Sequence, residues 1–270
     1  MGELAAQMST YRRLVGARIR ADWQYRTSFV LFLLSQTLVA GFDFAVIVVI
    51  FTNVDALAGW SGPEVALLFG ISGVGFALGD LFISQVERVS FHIKQGTFDQ
   101  FLIRPVPTLL QISAHDFALR RVGRLVQPTI VLAVSLVLVD VEWGAPQVIL
   151  VGLTLVSGAL IFGAIWVITS SIAFWTVETQ EIANSFTYGG GTLSAYPIDV
   201  LGSWLRRIVT FVVPLASVAF LPAAWLLDQP MPFGLPRAAG WSGPLVAVAL
   251  VALARLQWRN ALRHHRGTGS

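Results

Sequence analysis

Long apolar runs recur along the chain, separated by polar breaks of two lengths. Ser28 to Phe51, Glu64 to Val89, Leu125 to Val139, Gln147 to Phe174, Leu205 to Leu227 and Trp241 to Trp258 carry few charges. The longer of them match the ~20 residues needed to cross ~30 Å of hydrocarbon. The pattern predicts an all-α integral membrane protein with six transmembrane helices. Asn53 to Pro63 and Asp140 to Pro146 are short polar turns, whereas Arg88 to Arg124 is a long charged segment. Ahead of the first run, Tyr11, Val15, Ile19 and Trp23 fall on one helical face beside Leu14, Arg18 and Asp22. That spacing predicts an amphipathic helix lying on the membrane surface within residues 1–27. The transmembrane domain then covers 28–258, and 259–270 forms a basic tail with Arg259, Arg263, His264, His265 and Arg266.

One stretch resists this scheme. Trp175 to Ser203 contains Glu178, Glu181, Asn184, the triplet Gly189 to Gly191 and Pro197, and Leu205 to Leu227 is interrupted by Pro214 and Pro222. Two arrangements are compatible with it. Leu205 to Leu227 can be the fifth span, which is the expectation adopted. Alternatively the fifth span begins near Ile182, and residues 201–227 form a broken re-entrant pair of helices on the outer side.

Composition agrees with a membrane chain: 55% of residues are hydrophobic and 12% charged, with a mean hydropathy of +0.71. Soluble domains carry about 25% charged residues. A net charge of +3 and a pI near 9.8 would hint at nucleic acid in a soluble protein. Here the arginines flank the apolar runs, so no nucleic-acid partner is expected and membrane lipid is. With six spans, every lysine and arginine except Arg237 falls on the side of the N-terminus, opposite Asp55, Asp140, Glu142 and Asp228. Basic residues collect on the cytoplasmic side, which predicts both termini in the cytoplasm.

The chemistry of catalysis is missing. There is no cysteine, and the one lysine, Lys94, lies outside any GxxxxGK[ST] phosphate cradle. No HExxH, nucleophile elbow or metal-ligand spacing occurs, so a non-catalytic chain without a metal is expected. Two carboxylates, Asp43 and Asp80, fall inside predicted spans, where charge is costly and faces a cavity or a partner. They are candidates for a translocation path. At about 1.5 Å per residue they sit at depths differing by about 10 Å, which argues against a direct pair. Asp80 can instead be an interfacial residue paired with an arginine such as Arg88. Gly75 and Gly79 form a GxxxG step suited to close helix packing.

Within the long charged segment, a coupling region of about 90–124, Ile93 to Pro107 has a distinct pattern. Thr97 followed by Gln100 is a capping-box spacing, and Pro105 stops a helix at Arg104. Phe98, Phe101 and Leu102 share one face, with Asp99 in the first turn and Arg104 in the last. A short capped helix with an apolar face between two spans has the form of a docking peg; it can also be an interfacial turn.

The run Gly96-Thr97-Phe98-Asp99-Gln100-Phe101-Leu102-Ile103-Arg104-Pro105 resembles the G-x-x-D-x-x-L-x-R-P segment of bacterial ABC-2 family transporter permeases. Gly59-Trp60 with Glu64, Tyr196-Pro197-Ile198 followed by Trp204-Leu205-Arg206-Arg207, Pro214-Leu215, and Trp258 in a Trp-x-x-Ala-Leu-Arg tail are similar to a six-helix branch of that family. The resemblance implies a permease of the bacterial inner membrane that works with a second permease, the same or a related chain, and with separate cytosolic ABC ATPase subunits. ATP and Mg would then be bound on the ATPase, and no cofactor by this chain. The N-terminal amphipathic helix would be an elbow helix, and Thr97, Phe98, Asp99, Phe101, Leu102 and Arg104 would form the coupling helix. A hydrophobic or amphipathic small molecule is the expected cargo, with export the expected direction. The alternative is an ion-coupled secondary transporter using Asp43 and Asp80.

Overall fold

A computed structural model describes residues 26–115, 119–176 and 180–265, together with Gly16. The predicted elbow helix therefore lies outside the described residues, as does the side chain of Asp43. Among the described residues there are eleven α-helices and no β-strand. The long ones are α1 (Arg26–Phe51), α2 (Gly62–Phe82), α6 (Gly123–Leu138), α7 (Ala145–Ser171), α8 (Gln180–Ser194) and α11 (Gly243–His264). Short helices join them: α3 (Val89–Lys94), α4 (Asp99–Leu102) and α5 (Thr108–His115) between α2 and α6, and α9 (Ser203–Arg207) and α10 (Phe220–Leu226) between α8 and α11. Three helical stretches, Gly62–Phe82, Ala145–Phe174 and Gly243–His264, are long and apolar enough to cross a membrane.

These three helices share a start signal. Pro63, Pro146 and Pro244 stand in their first turns, where a missing N–H leaves no bond unmade. The Ser61 N–H donates to Glu64 Oε2 at 2.7 Å, and the Gly144 N–H to Gln147 Oε1 at 3.2 Å, so a third-position side chain seals the first turn of α2 and of α7. The three run in the same direction. α2 and α7 meet at Gly75 and Gly158, whose backbones touch; a Cβ on Gly75 would lie 3.3 Å from the Gly158 Cα. One turn on, Gly79 faces the Ala159 carbonyl, Phe162 and Trp166. α6 crosses the other side of α2, where a Cβ on Gly70 would stand 2.7 Å from the Leu132 Cα and one on Gly73 2.7 Å from Pro128. Small residues thus let three backbones approach where lipid offers no hydrophobic drive of its own.

α8 ends halfway along the bundle, its Ser194 hydroxyl bonded to that of Ser72 at 2.6 Å. α11 begins halfway as well, with Gly243 against Ser157 and the Ser217 carbonyl. Residues 195–242 fill the space between these two ends with short helices, at the end of the bundle that carries the turn after α1. Trp60 stacks on Phe220 with ring centroids 5.2 Å apart and donates to Asp199 Oδ2 at 3.3 Å, while Gln229 reaches Glu64 at 3.2 Å.

This corrects the expected fifth span. Leu205 to Leu227 is not one helix: it bends at Pro214, whose ψ of 55° leaves the helical region, and breaks again before Phe220. The helix between α7 and this segment is instead α8, Gln180–Ser194, which begins close to Ile182. Gly189 to Gly191 lie within α8; Gly189 meets nothing within 4 Å, but Gly190 and Gly191 stand where neighbours leave little room for a side chain. A Cβ on Gly191 would lie 2.9 Å from the Phe76 ring, and one on Gly190 3.3 Å from Leu215. Arg206 consequently belongs to the Trp60 end, paired with Asp199 at 2.6 Å and lying over the Phe233 ring, and Arg207 beside it on α9 and Arg237 share that end, which corrects the expectation that Arg206 and Arg207 lie on the side of the N-terminus. The second span stops at Phe82 instead of Val89, and the last continues to His264 instead of Trp258.

Candidate functional site

The early end of α2 has a local cause. The Ser84 hydroxyl donates to the Asp80 carbonyl at 2.5 Å, a back-bond that competes with the helix, and residues 84–88 tighten into a 3₁₀ turn. The Asp80 side chain is 0% exposed. Its Oδ1 accepts from Arg121 Nη1 at 2.6 Å and its Oδ2 from Arg124 Nη1 at 3.0 Å. Arg121 also donates to the Asp80 carbonyl and to the Ser84 hydroxyl, and approaches Glu87 at 3.7 Å. Arg124 is further hydrogen-bonded to Tyr188 on α8. One carboxylate therefore ties the end of α2 to the start of α6, and through Arg124 to α8. Glu87 lies beside this knot. Burial, with the Asp80 charge adding to it, pushes its carboxyl above the usual range, against the pull of Arg121, Arg124 and Arg88.

The sequence places Asp80 at depth and offers Arg88 as its partner; the structure gives it Arg121 and Arg124. Neither arginine has a local spacing that signals the pair, because they lie 41 and 44 positions further along the chain. Asp80 has no free carboxylate oxygen to offer a cation.

The peg differs from expectation in three ways. It is shorter, with a single turn, Asp99–Leu102, preceded by Gly96 at a φ of 67°. The capping box does not form: Phe98 is the N-cap residue, and Thr97 Oγ1 instead shares a 3.0 Å hydrogen bond with His92 Nδ1. Its aromatic face also points inward. Phe98 is 1% and Phe101 5% exposed. Phe98 packs edge-on against Phe174 after α7 at 5.1 Å, and against His265 after α11 at 4.9 Å. Phe101 lies between His92 at 5.1 Å and His115 at 5.4 Å. Gln111 Nε2 closes the turn by donating to the carbonyls of Phe101 at 3.0 Å and Val106 at 2.6 Å.

These contacts leave a protruding tip. Leu102, Ile103, Arg104 and Pro105 are exposed, Ile103 at 82%. Asp99 faces back toward the bundle and pairs with His265 Nε2 at 2.8 Å. Phe174 in turn meets Trp258 of α11 at 5.7 Å. The tip is thus anchored by an aromatic clamp to the ends of α7 and α11. Phe174, His115 and His265 carry no sequence signal for this arrangement; only the C-terminal histidine pair stands out, and then as a weak metal signal. Among the described residues no three His, Cys, Asp or Glu side chains gather as a metal site.

The profile of the ABC-2 family transporter proteins matches residues 37–269. No curated protein and no solved structure matches the chain.

Proposed function

The chain belongs to the ABC-2 transporter family, and from that premise we propose that it is the membrane-spanning permease subunit of an ATP-driven exporter. Six passes follow when α1, α6 and α8 are counted with the three long apolar helices. Residues 83–124 and both termini then lie in the cytoplasm of a bacterial inner membrane, where Arg88, Lys94, Arg104, Arg121 and Arg124 accord with the charge rule and outnumber Arg206, Arg207 and Arg237 at the other end. ATP and Mg act on separate ATPase subunits, a second permease completes the pathway, and this chain catalyses nothing itself.

The observation that carries the reading is the exposed Leu102 to Pro105 tip on a clamped base. An apolar tip of this size fits a groove on a soluble partner. Movement of that partner would push the tip, and Phe98 would pass the displacement to the ends of α7 and α11 through Phe174 and His265. Thr97 and Asp99 hold the base, Phe98 and Phe101 anchor it, and Leu102, Ile103 and Arg104 make the contact. The ion-coupled alternative needs Asp80 open to a cation, and its two guanidinium partners give that reading no support.

Ile103→Ala tests this. Away from packed positions a surface substitution changes stability by no more than about 0.5 kcal/mol, so the permease should melt as before. Loss of a docking anchor should weaken ATPase association by about tenfold or more, equivalent to 1.4 kcal/mol. Unchanged association with the P-loop partner, or robust ATP hydrolysis by the isolated chain, would overturn the proposal.

A further inference from the structure

The outward face of α11 changes character along its length. Its first half exposes Leu245, Val248 and Ala252, and its second half Arg255, Arg259 and Arg263. All six fall within roughly 80° of the helix surface, so the basic stripe continues the apolar one. Their outward direction is fixed from behind. Ala247, Ala254, Trp258 and Ala261 are buried, Trp258 packs against Phe174, and Gln257 Nε2 donates to the Ile168 carbonyl at 2.9 Å. Helix α11 contains no Asp or Glu, and among the described residues none of the three arginines pairs with a carboxylate.

The depth of the stripe follows from α7, which runs beside α11. Gly243 stands level with Ser157, and Gln257 level with Ile168. From Ala145 to Ile168 is about 34 Å at the helical rise, just past the ~30 Å of hydrocarbon. Arg255 therefore stands at the hydrocarbon edge, Arg259 in the headgroup layer, and Arg263 about 6 Å beyond Arg259.

We propose that Arg255, Arg259 and Arg263 bind an anionic phospholipid of the leaflet nearer the exposed tip, with its phosphate on the guanidinium groups and an acyl chain along Leu245, Val248 and Ala252. A guanidinium holds a phosphate through two parallel N–H bonds. A head with net negative charge also lacks the choline or ammonium group that the same arginines would repel. The apolar continuation of the stripe lies at alkyl-chain depth, out of reach of a soluble partner, so bilayer lipid fits the whole face and an acidic protein surface only its end. The inference rests on the part of the permease reading in which α11 crosses a membrane, and it needs no ATPase.

The test uses the full chain in phosphatidylcholine nanodiscs, without any ATPase, and traces of two photoreactive lipids. One is a phosphatidylglycerol and the other a phosphatidylcholine, with the same diazirine-bearing acyl chain. The phosphatidylglycerol probe should label residues 245–256 about tenfold more than the phosphatidylcholine probe, a difference of 1.4 kcal/mol. At Val148 and Ile149, exposed on α7 in the opposite leaflet, the two should label equally. The combined change Arg255→Gln, Arg259→Gln and Arg263→Gln should abolish the preference on α11, and the same three changes to Lys should keep it. Should the glutamine variant fail to fold, the parent carries the test alone: at ~1 M salt, where charges are screened beyond about 3 Å, its preference should shrink. Equal labelling of α11 by both probes overturns the proposal, and loss of ATPase association in the glutamine variant would then assign the stripe to the soluble partner. A preference of the same size on α7, or one untouched by the glutamines and by salt, also overturns it. Labelling of 245–256 by neither probe would instead overturn the span itself, so failure of the membrane reading looks different from failure of the lipid site.

Discussion

Residues 83–122 and 195–242 are both strings of short helices between long ones, yet the balance of contacts that holds them differs. The first is fixed by directional polar contacts: Asp80 with Arg121 and Arg124, Thr97 with His92, Gln111 with two carbonyls, Asp99 with His265. The second is a wedge whose centre is packed by shape, with Ala216, Val218, Ala219, Phe220, Ala223 and Ala224 all fully buried, and whose polar ties, at Asp199 and Gln229, lie at its rim. A polar network can exchange partners during a movement. A packed wedge cannot shift without opening a cavity. The contrast matches a segment that receives a push at one end of the bundle and a plug that resists it at the other.

The largest expected effect lies in the polar segment. Asp80→Leu leaves Arg124 without its counter-charge and Arg121 with only Glu87 at 3.7 Å, and breaking a buried pair costs about 3–5 kcal/mol. The variant should melt well below the parent, and adding Arg121→Met should recover part of the loss. If the single variant melts like the parent, the knot does not hold α2 to α6, and the contrast with the wedge fails.

The wedge should respond to volume. A Cβ on Gly240 would lie 2.4 Å from the Trp225 Cβ and 3.1 Å from the Leu221 carbonyl, so Gly240→Ala must displace α10. Overpacking of this kind costs about 1–3 kcal/mol. Gly152→Ala, which meets nothing within 4 Å, is the control and should leave the melting temperature unchanged. Equal effects of the two substitutions would mean that the segment is not tightly packed.

The same contrast explains what could be seen in the sequence. Charges, Gly96 and Pro105 mark residues 90–124 as a non-spanning segment, because polar residues and breakers are local signals. The direction in which Phe98 and Phe101 face is not legible, since their partners Phe174 and His265 come from distant ends of two other helices. The wedge reads as a span because Leu205 to Leu227 has the length and apolarity of one; hydrophobicity reports burial but not whether lipid or protein provides it. Gly189 to Gly191 argue against a helix in α8 for the converse reason: propensity counts the backbone entropy of glycine and not the close approach of Phe76 and Leu215.

The smallest effect concerns Glu87, and its sign decides what the knot does with a surplus carboxylate. Its folded-state carboxyl is raised above the ordinary value of 4.5, with burial the largest cause. Below 4.5 the group is protonated in both states and contributes nothing. As pH rises from 4.5 through the raised value, the folded state holds a proton that the unfolded state has released, so stability falls across that window and stays lowered above it. Glu87→Gln keeps the shape and removes the charge. The variant should therefore be more stable than the parent at neutral pH and should lose this advantage as pH approaches 4.5, which melting curves of the two proteins across pH 4 to 8 would reveal. A variant less stable than the parent at neutral pH would show that the 3.7 Å approach of Glu87 to Arg121 outweighs its desolvation. In that case Glu87 is an integral member of the polar network, and the knot draws on two carboxylates instead of tolerating one beside Asp80.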